Sequence, residues 1–205
     1  MTHAALIAAF PPPVAGQSLA AKLLKDGLDA NGFDTIPIDL AEPVGGSPVP
    51  RRLLHLAAAE VCLLRACLRH PDLIVYLQLG HGKRALLRDM VFMATAAAAR
   101  RPCIAHVHGS GMRSALDGLP APIRHAEIAL IRRLRAAVVL GNSLRDMFSG
   151  ILPDDRVVVV DNGIDPDFVR CAQSAVRRHE NTPMRVLFLS NFLSIKGYGL
   201  SLIHI

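Results

Sequence analysis

The chain has 205 residues, 51% of them hydrophobic, and a formal net charge of +6 at pH 7. That length fits one domain, or one domain and part of another, and the apolar share excludes an intrinsically disordered chain. The excess charge is carried almost wholly by arginine and suits anionic partners such as nucleotide diphosphates, lipid phosphates or a membrane surface. No basic stripe is interleaved with aromatics, so nucleic acid is not an expected partner.

In chain order, residues 4–10 read as a first buried strand. No Lys or Arg precedes this run, and Pro11-Pro12-Pro13 stands where a signal peptide would place small residues, so a cleaved leader is not expected. A helix is expected at 18–31 with Leu19, Leu23 and Leu24 on one stripe, then a strand at 35–40 and a Pro- and Gly-rich loop at 42–50. The next helix, 51–69, carries Leu53, Ala57, Val61, Leu64 and Leu68 at spacings of three and four, which places them on one face. A strand at 73–79, a helix at 85–99 and a strand at 103–107 follow. A loop is expected at 109–122, a helix at 123–134 and a strand at 136–140. Ser143-Leu144-Arg145-Asp146 resembles a capping box opening a short helix, and 156–160 is the last strand of the set. Residues 166–183 read as a linker or partly helical hinge, and a further strand begins at Arg185.

Strands that are near-continuous apolar runs, alternating with helices, predict an α/β fold, a doubly wound parallel sheet of Rossmann-like kind. In that architecture the loops leaving the carboxyl ends of the strands share one edge and hold the ligand. Those loops are 11–17, 78–83, 108–112, 141–143 and 161–165, and they contain most of the unusual chemistry of the sequence. Met90 to Ala99, the longest uncharged apolar stretch, is far short of the ~20 residues a membrane-spanning helix needs. Cys62, Cys67, Cys103 and Cys171 form no Cys-x-x-Cys pair and read as reduced thiols of a cytoplasmic protein.

Gly16 lies between the first strand and first helix, where backbone N–H groups attract phosphate; an ordinary turn is the alternative. Gly80-His81-Gly82-Lys83 fails the phosphate-loop pattern, since Arg84 occupies the Ser/Thr position, and reads as an exposed basic turn at a helix start. His106 and His108, two apart, share one face of a strand, but no third metal ligand is identifiable, so no metal is expected. Asn162-Gly163 marks a tight turn after a run of four valines.

Two segments taken together carry a family resemblance. Val157-Val158-Val159-Val160-Asp161-Asn162-Gly163-Ile164-Asp165 leads into a hinge, and Val186-Leu187-Phe188-Leu189-Ser190-Asn191, followed by Lys196-Gly197, restarts a Rossmann-type strand. The pair resembles the crossing point between the two halves of a GT-B glycosyltransferase of family 4, with this chain as the N-terminal half. The resemblance implies transfer of a sugar from a nucleotide-diphosphate donor, with retention, to a glycan or lipid-linked acceptor. It implies no cofactor beyond that substrate, and peripheral contact with the inner face of a membrane is compatible with it.

By the same resemblance His108 is the catalytic candidate near the sugar, and Gly16, Gln17, Gly109 and Asn162 line the acceptor side. Lys196 and Asn191 are expected at the donor diphosphate, although Ala15 and Ser190-Asn191 replace residues common in the family. The implied domains are 1–165 for the acceptor side, 166–183 for the linker and 184–199 for the start of a truncated donor domain. The family's downstream pair of glutamates has no counterpart, so the fragment is expected to be inactive alone. Leu200-Ser201-Leu202-Ile203-His204-Ile205 matches the in-frame translation of a transposon-end sequencing adapter and is expected to be non-native. A GT-B-shaped sugar epimerase and a non-catalytic flavodoxin-like binding domain are the alternatives.

Overall fold

The computed structural model describes residues 2–41, 46, 48–163 and 169–170. The chain divides into two units, Met1–Asn162 and Gly163–Ile205, and the architecture below is that of the first. The expected strand at 185 onward, the linker, Lys196, Asn191 and the terminal six residues lie outside the described residues.

Six strands, β1 (His3–Ala8), β2 (Asp34–Asp39), β3 (Ile74–Leu79), β4 (Cys103–Val107), β5 (Ala136–Val139) and β6 (Val157–Val159), form one sheet. Their order is β2-β1-β3-β4-β5-β6, and every pair is parallel. Five helices are interleaved: α1 (Gly16–Ala30), α2 (Val49–Arg69), α3 (Lys83–Ala98), α4 (Met112–Asp117) and α5 (Ala121–Ile131). The sheet is thus the doubly wound, Rossmann-like one the alternation predicts.

Side chains alternate across a strand, so each strand supplies two faces with different duties. Ala5 and Ile7 of β1, Val75 and Leu77 of β3, Ala105 of β4 and Ala137 of β5 are wholly buried and form one core. Leu63 of α2, Leu86 of α3 and Ile131 of α5 complete that core. The opposite face is thinner. Ala4, Leu6 and Ala8 are buried there under α1, yet they stand outside the main cluster. Further along that face Tyr76 and His106 are only half-buried, and Val158 is 43% exposed.

Several elements differ from expectation. The stripe Leu53, Val61, Leu64 and Leu68 of α2 points to solvent, with 62, 44, 47 and 76% of each residue exposed. The core side of α2 is instead Leu56, Ala59, Leu63, Ala66 and Cys67. Small alanines pack a helix closely onto a sheet, and their weak hydrophobicity hides that face in a periodicity count. In α1 the same occurs: Leu19 and Leu23 are exposed while Ser18 and Ala21 are buried. The loop expected at 109–122 contains α4, and α5 starts at Ala121 with Pro122 in its first turn, where a missing N–H costs the helix nothing. The capping box expected at Ser143 does not form: Asn142–Phe148 is a 3-10 helix without a side-chain cap.

Candidate functional site

The chain leaves β1 toward β2 on one side and later returns to β3 on the other, so the loops after β1 and β3 part and leave a crevice. Gln78, next to last in β3 and buried, ties both sides of it together. Its side-chain oxygen accepts the Ala9 N–H at 3.4 Å, and its amide donates to the Gln17 carbonyl at 3.2 Å. Ser18, also buried, accepts the Ala15 N–H on its hydroxyl oxygen at 2.9 Å and donates to the Pro13 carbonyl at 2.8 Å. The β1–α1 loop is therefore fastened at both ends. α1 begins at Gly16, and by helix geometry the N–H groups of Gly16, Gln17 and Ser18 have no intrahelical acceptor. They form the positive end of a fifteen-residue helix, a natural seat for an anion. A Cβ on Gly16 would meet nothing within 4 Å, so packing does not demand a glycine there.

On the far side of the crevice, Gly80 is a glycine by necessity. An added Cβ would stand 2.2 Å from that of Ala85. Its N–H donates to Asp89 at 2.7 Å, which closes the turn into α3. His81 next to it rests on the β4–α4 loop: a Cβ at Gly109 would lie 3.5 Å from its Nδ1, and one at Gly111 3.0 Å from its carbonyl oxygen. Lys83 is turned away from the crevice, its Nζ 2.7 Å from where a Cβ on Gly118 would be, at the end of α4.

Tyr76 and His106 stand on the thin face of the sheet, with the Tyr76 hydroxyl 2.7 Å from the His106 Nδ1. The rings of His106 and His108 stack at a centroid distance of 4.0 Å and a tilt of 31°. The row thus runs from the sheet interior to its carboxyl edge. The Nε2 atoms of both histidines are buried without a hydrogen-bond partner. Burial, then the neighbouring His108, lowers His106 to about 4. Burial lowers His108 as well. Both rings are therefore neutral at pH 7, and His106 and His108 belong to no cluster of three metal-ligating groups among the described residues.

The structure brings Gly16, Gln17, His108 and Gly109 to the ends of adjacent or next-nearest strands. Asn162 is exposed three residues beyond β6, which stands two strand spacings from β4 and four from β1, so by strand order it is nearer to His108 and Gly109 than to Gly16.

Three features escape a sequence reading. A cavity of about 610 Å³ opens beside Leu40 between the N-terminal halves of α2 and α3, walled by Arg51, Arg52, Arg84, Arg88, His55 and Leu54. Beneath the Gly80 turn, Asp89 of α3 and Glu127 of α5 are fully buried. Asp89 also accepts Arg88 Nε at 2.7 Å, whereas neither oxygen of Glu127 has a partner. Burial, then the charge of Asp89, pushes Glu127 up to about 7. The third is a group of His3, His70 and Asp72 at the opposite, amino-terminal edge of the sheet. No signal short of the fold could have joined these residues, because their partners come from different elements.

Solved structures that resemble the chain include the crystal structure of Anabaena Alr3699/HepE in complex with UDP. It is 15% identical with a TM-score of 0.44, over 82% of this chain and 45% of that one. This chain therefore spans less than half the length of that relative. No curated protein matches. The model of the family described as Glycosyltransferase Family 4 matches residues 19–168, a span that takes in α1 from its fourth residue, the Gly80 turn, the histidine row and the strand before Asn162. By that match over most of its length, the chain belongs to Glycosyltransferase Family 4.

Proposed function

We propose that this chain is the acceptor-side half of a retaining glycosyltransferase that takes its sugar from a nucleotide diphosphate. The observation that supports it is the placing, on the carboxyl edge of one sheet, of an open helix N-terminus at Gly16 and Gln17 after β1 and the neutral, half-buried His108 beside Gly109 after β4. A neutral imidazole can hydrogen-bond a sugar or acceptor hydroxyl without adding positive charge where an oxocarbenium-like centre develops. Lys196 and Asn191 are proposed to hold the donor diphosphate, with no metal or other cofactor, and Asn162 to shape the hinge. On this reading 1–165 is the acceptor domain, 166–183 the linker, 184–199 the start of a donor domain and 200–205 a non-native tail. The 205-residue chain alone then turns over no donor. In the longer gene product, labelled sugar should pass from a nucleotide-diphosphate donor to acceptor, and His108→Ala should cut turnover about a hundredfold or more. Full turnover by His108→Ala, or interconversion of the donor sugar in place of transfer, would remove the reading.

The arginine-walled cavity suits an acceptor with an anionic group. The outward face of α2 supports peripheral contact with an anionic membrane on the cytoplasmic side. There the stripe Leu53, Leu54, Val61, Leu64 and Leu68 runs beside exposed Arg51, Arg65 and Arg69, the pattern of a helix lying in a lipid interface. Each arginine near an anionic surface contributes about 1 kcal/mol. Free Cys62, Cys67 and Cys103 fit a reducing compartment. The chain should co-sediment with vesicles containing anionic lipid and not with neutral ones, and Leu53→Asp with Leu64→Asp should weaken this at least tenfold. A concentration-dependent dimer that the same pair of substitutions dissolves, with no vesicle binding, would assign the stripe to a second copy instead. Among the described residues, no helix is long and apolar enough to cross a membrane.

A further inference from the structure

At the amino-terminal edge of the sheet, away from the crevice, four side chains from three segments converge. His3 opens β1 and stands directly opposite Asp34, the first residue of β2. His70 ends α2, and Asp72 lies in the turn before β3. His3 Nδ1 is 2.9 Å from one carboxylate oxygen of Asp72 and 3.0 Å from the other. Both are hydrogen-bond lengths, and a divalent cation held by the ring nitrogen and one of these oxygens would take the place of the shared N–H. The His70 ring lies over that of His3 at a centroid distance of 3.9 Å, and one ligand atom from each of His3, His70 and Asp72 falls within 4.8 Å of the others. His70 has no side-chain hydrogen bond among the described residues. The second nitrogen of His3, Nε2, faces Asp34 at 3.6 Å.

We propose that His3, His70 and Asp72 bind a zinc ion, with water as the fourth ligand and Asp34 as the positioning residue. Two imidazoles and a carboxylate are a donor set that zinc takes in tetrahedral geometry. The carboxylate of Asp34 stands behind His3 at 3.6 Å, beyond a hydrogen bond, and closing that gap on binding would complete the carboxylate–histidine–metal arrangement that fixes a ligand's tautomer and raises its basicity. His3 is half-buried and already pinned through its backbone N–H, 3.3 Å from Asp72 Oδ2, so binding requires chiefly that the His70 ring swing out of its stack on His3. The ion joins β1 to the α2–β3 turn, with β2 behind it through Asp34. Its role is to lock the amino edge of the sheet, and it has no part in sugar transfer.

The experiment is titration of the untagged 205-residue chain with zinc by calorimetry, with cobalt(II) as a spectroscopic stand-in. One equivalent should bind with micromolar affinity and raise the melting temperature, and cobalt should give the intense visible band of a four-coordinate site. His70→Ala and Asp72→Asn should each abolish the tight equivalent, while Asp34→Asn should weaken it about 10–100-fold. Circular dichroism on each variant separates loss of the site from loss of the fold. If a variant unfolds, the ring signals of His3 and His70 in the unaltered chain decide, since zinc must shift both. Binding that survives His70→Ala with Asp72→Asn, or no binding at millimolar zinc, overturns the proposal.

Discussion

Glu127→Gln is expected to raise the unfolding free energy at pH 8 by about 3 kcal/mol and to leave it nearly unchanged at pH 4.5. Glu127 is fully buried with neither oxygen hydrogen-bonded, and its carboxyl rises from 4.5 to about 7. The folded chain thus keeps a proton over a window in which the unfolded chain has released it. Stability from this source is complete below 4.5 and is lost as pH rises through 7. Each pH unit of that window is worth about 1.4 kcal/mol. Glutamine matches the protonated acid in shape and cannot ionise, so it removes the loss. Urea unfolding at both pH values measures the effect, and an equal effect at the two would show that Glu127 does not titrate between them. Asp89, raised by its own burial, acts in the same direction and remains in the variant.

His106→Gln is expected to reverse the slope. The His106 ring is lowered from 6.5 to about 4, so the unfolded chain binds the proton first. Its contribution is complete above 6.5 and is lost as pH falls through 4, and because the ring is only half-buried, solvent screening keeps it below that of Glu127. Between pH 4.5 and 6.5 the slopes from His106 and Glu127 oppose each other, with His108 adding to the first and Asp89 to the second. The unaltered chain should therefore show a shallow pH profile there. Glu127→Gln should unmask a stability that rises with pH, and His106→Gln one that falls. Both variants keeping the parent's shallow slope would place the titration on other groups.

The strands were legible because a parallel sheet covered by helices on both faces writes itself as apolar runs such as Leu73 to Leu77. The helix faces were not. Leu53, Leu64 and Leu68 outweigh Ala59, Ala66 and Cys67 in any periodicity count, yet the small residues make the core contact. The same inversion in α1 puts Leu19 and Leu23 outside. Loops at strand ends could be named in advance, since parallel topology dictates their common edge. Which of them meet could not. His81 touches the Gly109 loop across 28 residues of sequence, and Gln78 reaches Ala9 across 69. Asn162 follows β6, two strand spacings from the β4 that carries His108 and four from β1, an order the motif itself does not contain. Glu127 sits in a helix whose sequence offers no hint that a carboxylate would face inward.

The ring resonances of the nine histidines offer a direct reading of which edge of the sheet meets ligand. Titration of the 205-residue chain with a hexose 1-phosphate, followed by nitrogen–proton correlation spectra, should move the signals of His81 and His108 in a saturable way. His3 and His70, at the amino-terminal edge, should stay in place. Movement of His3 and His70 with His81 and His108 unaffected, or no movement of any ring at millimolar sugar phosphate, would contradict an acceptor wall at the β1–β3 crossing.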